Sequence, residues 1–299
     1  MPLRVTQGML NNQFMRNLSN NMRRMDVIQD QLSTGRRINK PSDDPVGITY
    51  SLRYRSELSA NEQYQRNTDA ALSWLDQTDS SLNQAGEILQ RVRELTVQGS
   101  NGTNPPAAMD AIRKEIEQLK QQLVDVASTT LDGKYIFNGQ KTDQPPYPSV
   151  DNAAGAVTDP FSIPFEVGLN VEIPVNLTGN DVFGKPTDPD NLFQVLDDLM
   201  AHLAANDHGE VSKILGRLDS RMEKFLGFRS EIGARINRIE MMQGRLEDLG
   251  INLTSLQSKV EDADMSKLIT QLKMDESVYQ ASLAIGSRLI QPSLIDFLR

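Results

Sequence analysis

Cysteine is missing from all 299 residues, so neither a disulfide framework, a thiolate nucleophile nor a cysteine-held zinc is open to this chain. Aromatic side chains make up only 5%, with a single tryptophan, Trp74. Globular α/β enzymes usually carry more bulk, whereas many Leu, Ile, Gln, Arg and Glu with few rings suit long helices. Histidine is scarce as well: His202 and His208 are the two present. Six positions apart on one helix they would point about 240° apart around the axis. Gly209 reads as a helix end beside them, and both read as surface residues. No Gly-x-Gly-x-x-Gly, Walker A or Gly-x-Ser-x-Gly pattern occurs. Asp181, Asp188 and Asp190 lack the Gly and Glu of an EF-hand loop and read as a solvated turn. The pairs Glu247-Asp248, Glu261-Asp262 and Asp275-Glu276 read as charged helix surfaces. Catalytic, cofactor-binding and metal-ligating residues are all expected to be absent, and the chain is not expected to be an enzyme.

Long hydrophobic runs are also absent, so no segment is expected to insert in a membrane. The N-terminus lacks the apolar core and small-residue cleavage site of a secretory signal. On these grounds alone the chain reads as cytoplasmic. A net charge of −9 argues against nucleic acid as a partner, because phosphate binding needs clustered Lys and Arg. The charge is uneven. Arg4, Arg16, Arg23, Arg24, Arg36, Arg37 and Lys40 face only Asp26 and Asp30 in the first forty residues. That segment suits either an ordinary solvated helix face or an acidic surface on a neighbouring copy.

What is plentiful is helical periodicity. Met15, Leu18, Met22, Met25 and Leu32 repeat at spacings of three and four, with Gln29 filling one position, the seam of a helix that pairs with others. This helix should end near Gly35. A carboxylate cap and a first-turn proline in Ser42-Asp43-Asp44-Pro45 open a second helix to about Gln98. Its seam runs Leu75, Thr78, Leu82, Ala85, Leu89, Val92. Turn formers fill Gly99–Pro106. A third helix opens at Asn104-Pro105, carries Ile112, Ile116, Leu119, Leu123 and Val126, and is expected to end at Gly133.

From about Asp132 to Pro189 helical periodicity is lost, and eight of the fourteen prolines fall between Pro145 and Pro189. Odd positions from Phe161 to Val175 are Phe, Ile, Val or Leu, which predicts strands of a small antiparallel unit, with Pro164 and Pro174 suited to edges. Leu192, Val195, Leu196, Leu199 and Leu203 then predict a short helix. Val211, Ile214, Leu218, Phe225, Ile232, Ile236, Ile239, Leu246, Leu253, Val260 and Ala263 follow on one long seam. Leu268, Leu272, Tyr279, Leu283 and Ile290 continue it, interrupted by Asp275 and Glu276.

The expected fold is mainly α: a long coiled-coil-like helical bundle of N- and C-terminal segments with a small β-rich insertion at its tip. Three regions are expected: terminal assembly helices (1–44 with 260–299), a helical rod (45–140 with 190–259) and a β-rich outer domain (141–189). Two facing helices cannot cover Met15, Met22, Met25, Ile28 and Leu32 together. The expected assembly interface is therefore Met15, Leu18, Met22, Met25, Leu32, Leu268, Leu272, Tyr279, Leu283 and Ile290.

Four phrases carry a resemblance. QLSTGRRINKPSDDPVG at 31–47 resembles the N-terminal signature of bacterial flagellin and its hook-associated relatives, through Leu32, Gly35, Ile38, Asn39, Asp43, Asp44 and Gly47. VEDADM at 260–265 resembles the C-terminal signature, through Glu261, Asp262, Ala263 and Asp264. NLTGNDVF at 176–183 is similar to a turn-rich phrase in the outer part of these proteins. GKYIFNG at 133–139, through Gly133, Tyr135, Phe137 and Gly139, tilts the match to the hook-associated branch. The resemblance implies a structural subunit of the bacterial flagellum at the hook–filament junction. Such a subunit lies outside the cell and is exported unfolded, without a cleaved signal peptide. The partners it implies are other copies of the chain, the first hook–filament junction protein, flagellin, and a small export chaperone on about 264–299. A short flagellin and a cytoplasmic helical adaptor are the competing readings.

Overall fold

Prolines and glycines set the helix boundaries. The computed structural model describes residues 7–290, with side chains over 8–287. Its helices are α1 (Gln7–Thr34), α2 (Pro45–Gly99), α3 (Pro106–Ala127), α4 (Gly179–Phe183), α5 (Leu192–Ala204), α6 (His208–Glu261) and α7 (Met265–Ile290). Between α3 and α4 lie two antiparallel hairpins, β1 (Thr130–Leu131) with β2 (Lys134–Tyr135), and β3 (Pro164–Gly168) with β4 (Val171–Pro174). The fold is mainly α with a small β-rich insertion. The chain divides into a terminal unit, within 1–60 and 249–299, and an inner unit, 61–248, with α2 and α6 contributing to both.

The inner unit owns the main core. Leu75, Leu82, Ala85, Leu89 and Val92 of α2, Ile116 and Leu123 of α3, Leu192, Phe193, Val195, Leu196, Leu199 and Leu203 of α5, and Val211, Leu218, Ile232 and Ile239 of α6 are almost wholly buried. Each such side chain contributes roughly 1.5–3 kcal/mol relative to exposure. Thr78 and Thr96 occupy seam positions by donating their hydroxyls to the carbonyls of Trp74 and Val92, one turn back, so no hydroxyl is stranded.

Several local expectations change. Pro105 rather than Asn104 stands at the N-cap of α3, with no side-chain cap; Asn104 Nδ2 instead donates to Gln98 O at the end of α2. Helix α3 ends at Ala127, not Gly133. Asp132 and Gly133 both have positive φ, 50° and 76°, and make the two-residue turn between β1 and β2. The predicted β-rich stretch also contains α4, whose five residues are too few to show a period. Thr178 caps it, its Oγ1 accepting from Asp181 N. The two histidines lie on different elements, α5 and α6. His208 is half-buried, with Nδ1 2.9 Å from Gly99 O, and so is tied to the end of α2.

The β-rich insertion is held by side-chain amides and rings. Phe137 and Phe183 meet edge to face at 5.6 Å, and Tyr147 lies 4.8 Å from Phe193. Gly179 N donates to Phe137 O at 2.7 Å. Asn176 Oδ1 accepts from Ile163 N at 2.7 Å while its Nδ2 donates to Phe161 O, fastening the approach to β3. Gly139, at φ 56°, packs so closely that an added Cβ would lie 2.3 Å from Asp159 O. Alternation holds in β3 and β4, where Pro164 pairs with Pro174. Leu169, at the turn beside Asn170 (φ 58°), is exposed instead.

One gap in the α6 seam has a specific occupant. Between Leu218 and Phe225 the inward position is Arg221, only 2% exposed. Its Nε donates to Asp190 O and its Nη2 to Asp190 Oδ1, both at 2.9 Å, and Nη1 reaches Asp181 O at 3.1 Å. Lys224 Nζ completes the shell at 2.8 Å from Asp190 Oδ2. Asp190 is therefore a buried anchor and not a solvated turn. Burial pushes its carboxyl up, but Lys224 and Arg221 outweigh that and hold it below the usual range. Gly184 is required here, because a Cβ would lie 2.5 Å from Arg221 Nη2 and 2.8 Å from Asn191 Cα. Removing one partner of a buried pair strands the other. Arg221→Leu is expected to cost the inner unit about 3 kcal/mol, and Lys224→Ala, whose ammonium is half exposed, less than about 1 kcal/mol. Urea unfolding of the two variants measures the difference; equal losses would mean that the guanidinium is not the anchor.

Candidate assembly interface

Both signature phrases of the chain ends meet at one place in the terminal unit. Gly35, at φ 70°, ends α1 and turns the chain. The next residues run antiparallel to the end of α6: Arg36 bridges Asp262, Arg37 N donates to Glu261 O at 2.6 Å, and Ala263 N donates to Gly35 O at 3.0 Å. Arg37 Nη2 adds a bond to Val260 O at 2.9 Å. Ile38 is buried beneath this crossing. Asp43 Oδ2 accepts from Asn39 N and Lys40 N, and those backbone bonds hold its carboxyl below the usual range. Asp44 caps α2, its Oδ1 accepting from Gly47 N at 2.9 Å. Gly47 has no room for a side chain, since a Cβ would lie 2.5 Å from Asp44 Oδ2 and 2.6 Å from Ile38 Cδ1. Asp264 caps α7 in the same way through Lys267 N at 3.0 Å.

Glu261 sits at the centre and is 2% exposed, which corrects its reading as a charged surface. Arg55 donates to both of its oxygens, Nε to Oε1 at 2.8 Å and Nη2 to Oε2 at 2.7 Å. The Ser51 hydroxyl and Gln257 Nε2 also donate to Oε1, and Arg36 lies 3.7 Å from Oε2. Burial pushes the carboxyl up, yet the Arg55, Ser51 and Gln257 hydrogen bonds outweigh it and bring the group down to about 2. One side chain thereby ties the loop after α1, the start of α2 and the end of α6.

Helices α1 and α7 pack on each other within this unit. The inward stripe of α1 is Phe14, Leu18, Asn21, Met25, Ile28 and Leu32, one position off the expected seam at three points, where Phe14, Asn21 and Ile28 stand in for Met15, Met22 and Gln29. Asn21, 3% exposed, replaces Met22 because its Nδ2 donates to Asp275 O at 3.0 Å. Arg24 Nη2 bonds Asn21 Oδ1 at 2.8 Å and Asp275 Oδ1 at 3.2 Å. Asp275 thus belongs to the pairing face, a polar pin of the kind that fixes helix register. On α7, Leu268 is buried and Leu272 and Tyr279 are half-buried. Phe14 lies against Gly286, where a Cβ would come within 2.4 Å of its ring.

The other faces are uncovered. Met15 and Met22 on α1 are 55% and 54% exposed, and Leu283 on α7 45%; Ile290 lies outside the described side chains. Seventeen of the twenty-three large apolar side chains that stand exposed among the described residues are in the smaller, terminal unit. Of the ten candidate interface residues, Leu268 is buried and Leu18, Met25, Leu32, Leu272 and Tyr279 are half-buried. Met15, Met22 and Leu283 face outward. The sequence reading missed Val27, Val46, Leu52, Ile251, Ile269 and Ile285, which are also exposed. They are spread over α1, α2, α6 and α7, so a single seam on one helix cannot represent them.

The comparisons with known proteins fit this geometry. The bacterial flagellin N-terminal helical region matches residues 5–142, and the flagellin C-terminal helical region matches residues 215–298, together about three quarters of the chain. Flagellar hook-associated protein 3 of Escherichia coli is 27% identical over 94% of this chain and 95% of its own length. Flagellin of Bacillus subtilis is 29% identical over 90% of each chain. A solved flagellar hook-associated protein from Vibrio parahaemolyticus superposes with a TM-score of 0.67 at 23% identity, over 74% of this chain and 100% of its own. That from Legionella pneumophila, flagellar hook associated protein-3, gives 0.63 at 17%, over 70% and 98%. At such identities the two structures speak for the fold.

The low value for Glu261 fixes a pH dependence. A carboxyl depressed from 4.5 to about 2 contributes stability that is fully present above about 4.5 and is lost as pH falls towards 2. Protection of the amides at the start of α7, taken relative to their intrinsic exchange at each pH, is therefore expected to fall between those values, and in Glu261→Gln to be low already at neutral pH. Exchange in Glu261→Gln as slow as in the parent would remove the latch from the account.

Proposed function

We propose, for a chain that belongs to the bacterial flagellin family through both its N-terminal and its C-terminal helical regions, that it is a structural subunit at the hook–filament junction of the flagellum, and not an enzyme. The observation that carries this is the end-to-end match to hook-associated protein 3, 94% of one chain against 95% of the other, on a fold shared with solved hook-associated proteins. The GKYIFNG phrase fits it physically: Gly133 makes a hairpin turn, Phe137 is fully buried and Gly139 is packed against Asp159.

The mechanism is association that completes a partly covered surface. Ordering a residue costs roughly 1–2 kcal/mol of backbone entropy, and α1 and α7 recover part of that on each other. The outward stripe with Met15, Met22 and Leu283 recovers more when neighbouring subunits cover it, at about 25 cal/mol per Å² of apolar surface. Those neighbours are other copies and further flagellar proteins: on our reading the first junction protein on the hook side and flagellin on the other. Residues 1–44 with 260–299 form the assembly helices, 45–140 with 190–259 the helical rod, and 141–189 the outer domain. A small export chaperone takes about 264–299, of which 291–299 lie outside the described residues. The site of action is the flagellum outside the cell. A second reading, a short flagellin, is favoured by the 29% identity to the Bacillus flagellin.

Deleting the gene in its source organism separates the readings. Filament protein released into the medium with bare hooks on the cells is the expected result. Filament protein missing altogether makes the chain a flagellin, and unchanged motility from a single-copy gene turns the reading back to a cytoplasmic adaptor. In the same strain, Met22→Asp or Leu283→Asp, both at exposed positions, is expected to leave the melting of the inner unit unchanged and to fail to restore filaments. Full restoration by both would mean that the outward stripe is not the interface.

A further inference from the structure

The chain contains two Asn-Gly dipeptides, Asn101-Gly102 and Asn138-Gly139. In an unfolded chain both are suited to loss of the side-chain amide, because a following glycine leaves its backbone nitrogen uncrowded. The fold treats them oppositely. Asn138 is 6% exposed. Its Nδ2 donates to Gln144 O and its Oδ1 accepts from Asp159 N, both at 3.1 Å, so the amide is locked. Gly139 behind it is wedged against Asp159.

Asn101 lies in the turn between α2 and α3 and is exposed, and nothing stands within 4 Å of where a Cβ on Gly102 would be. Its Oδ1 accepts twice from one residue, from Thr103 Oγ1 at 3.0 Å and from Thr103 N at 3.3 Å. Two donors on an amide oxygen sit where negative charge would develop if the amide carbon were attacked, the arrangement that stabilises an oxyanion.

We propose that Asn101 is a self-modification site of the folded protein, converting to aspartate and isoaspartate, with Thr103 assisting and water as the co-reactant. Gly102 N gives its proton to a solvent base and attacks Asn101 Cγ, forming the new C–N bond. The electron pair of the carbonyl moves to Oδ1, where both Thr103 donors meet it. The Cγ–Nδ2 bond then breaks and ammonia leaves with a proton from water, closing a succinimide. Addition of water to either ring carbonyl opens the ring to aspartate or isoaspartate. The net change is one water in and one ammonia out. The new carboxylate stands beside the C-terminal carbonyls of α2, where Asn101 N and Asn104 Nδ2 now bond Gln98 O. Negative charge is unfavourable there, so each conversion loosens the α2–α3 turn.

Incubating the full chain at mildly alkaline pH, native and in guanidinium, and mapping its peptides by mass tests this. In the native protein Asn101 is expected to convert at least about tenfold faster than Asn138, which reacts only through local opening. In guanidinium the two rates are expected to converge. Thr103→Val, which keeps the backbone donor and removes the hydroxyl, is expected to slow native Asn101 roughly two- to tenfold and to leave its rate in guanidinium unchanged. Equal native rates at the two asparagines would overturn the site. An unchanged native rate in Thr103→Val would overturn the part given to Thr103.

Discussion

A single buried carboxylate holds the two ends of this chain together. Glu261 would be costly to bury alone, and the surrounding architecture answers that cost. Arg55 comes from the start of α2, Ser51 from one turn earlier, Gln257 from the same helix and Arg36 from the loop after α1. Each donor has its position set by something else in the signature phrases. Gly35 turns the chain so that Arg36 and Arg37 lie alongside 260–263, Asp44 starts α2 at the register that aims Ser51 and Arg55 inward, and Asp264 starts α7 directly after the crossing. The two signature phrases, more than two hundred residues apart, are therefore one structural device. Their residue types follow from that geometry: small where chains cross, acidic where helices start, and charged at the centre because the contact must be specific.

The inner unit uses the same principle with the signs reversed. There a buried cation, Arg221, is surrounded by the Asp190 carboxylate and by the carbonyls of Asp190 and Asp181. The apolar seam of α6 would be satisfied by any aliphatic residue at that position. An arginine gives up apolar area but reaches the backbone of α4 and of the loop before α5, which a leucine cannot. Buried ion pairs are weak contributors to net stability compared with apolar packing, so the gain lies in fixing where the insertion docks on the helix.

How much of this was legible in the sequence depended on what signal each element carries. The long helices were, because Leu75 to Val92 and Ile112 to Val126 repeat apolar positions over many turns, and the caps at Asp44 and Pro45 follow from the chemistry of free amides. Hydrophobic periodicity has no symbol for a polar residue that faces inward. Asp275 and Glu261 therefore read as an interruption and as surface charge, and Asn21 and Arg221 carry no signal at all, although each is central to a contact. Short elements escaped for a different reason: α4 has too few residues to show a period, and the Asp132-Gly133 turn competes with the reading of any glycine as a helix stop. The candidate interface was half legible. A heptad seam predicts that a helix pairs, but it cannot say which residues serve the intramolecular partner and which are left over; Met22 and Asn21 are adjacent in sequence and have opposite roles.

That division between covered and left-over faces is what joins the structure to the proposed function. A helix pair buries one stripe on each member, and α1 and α7 each carry more apolar surface than one partner covers. The inner unit, with its own core on four helices, has no such excess. If the outward stripe were merely tolerated, exposed apolar side chains would scatter over both units in proportion to size, as they do on ordinary surfaces. They are instead concentrated in the smaller unit, beside the latch that sets the relation of α1 to α7. A partner that docks there meets two helices whose register is already pinned by Asn21, Arg24 and Asp275. Ordering the pair before docking lowers the entropy that association must overcome. The polar pins inside the seam and the apolar stripe outside it are thus complementary parts of one interface, the first giving definition and the second driving force.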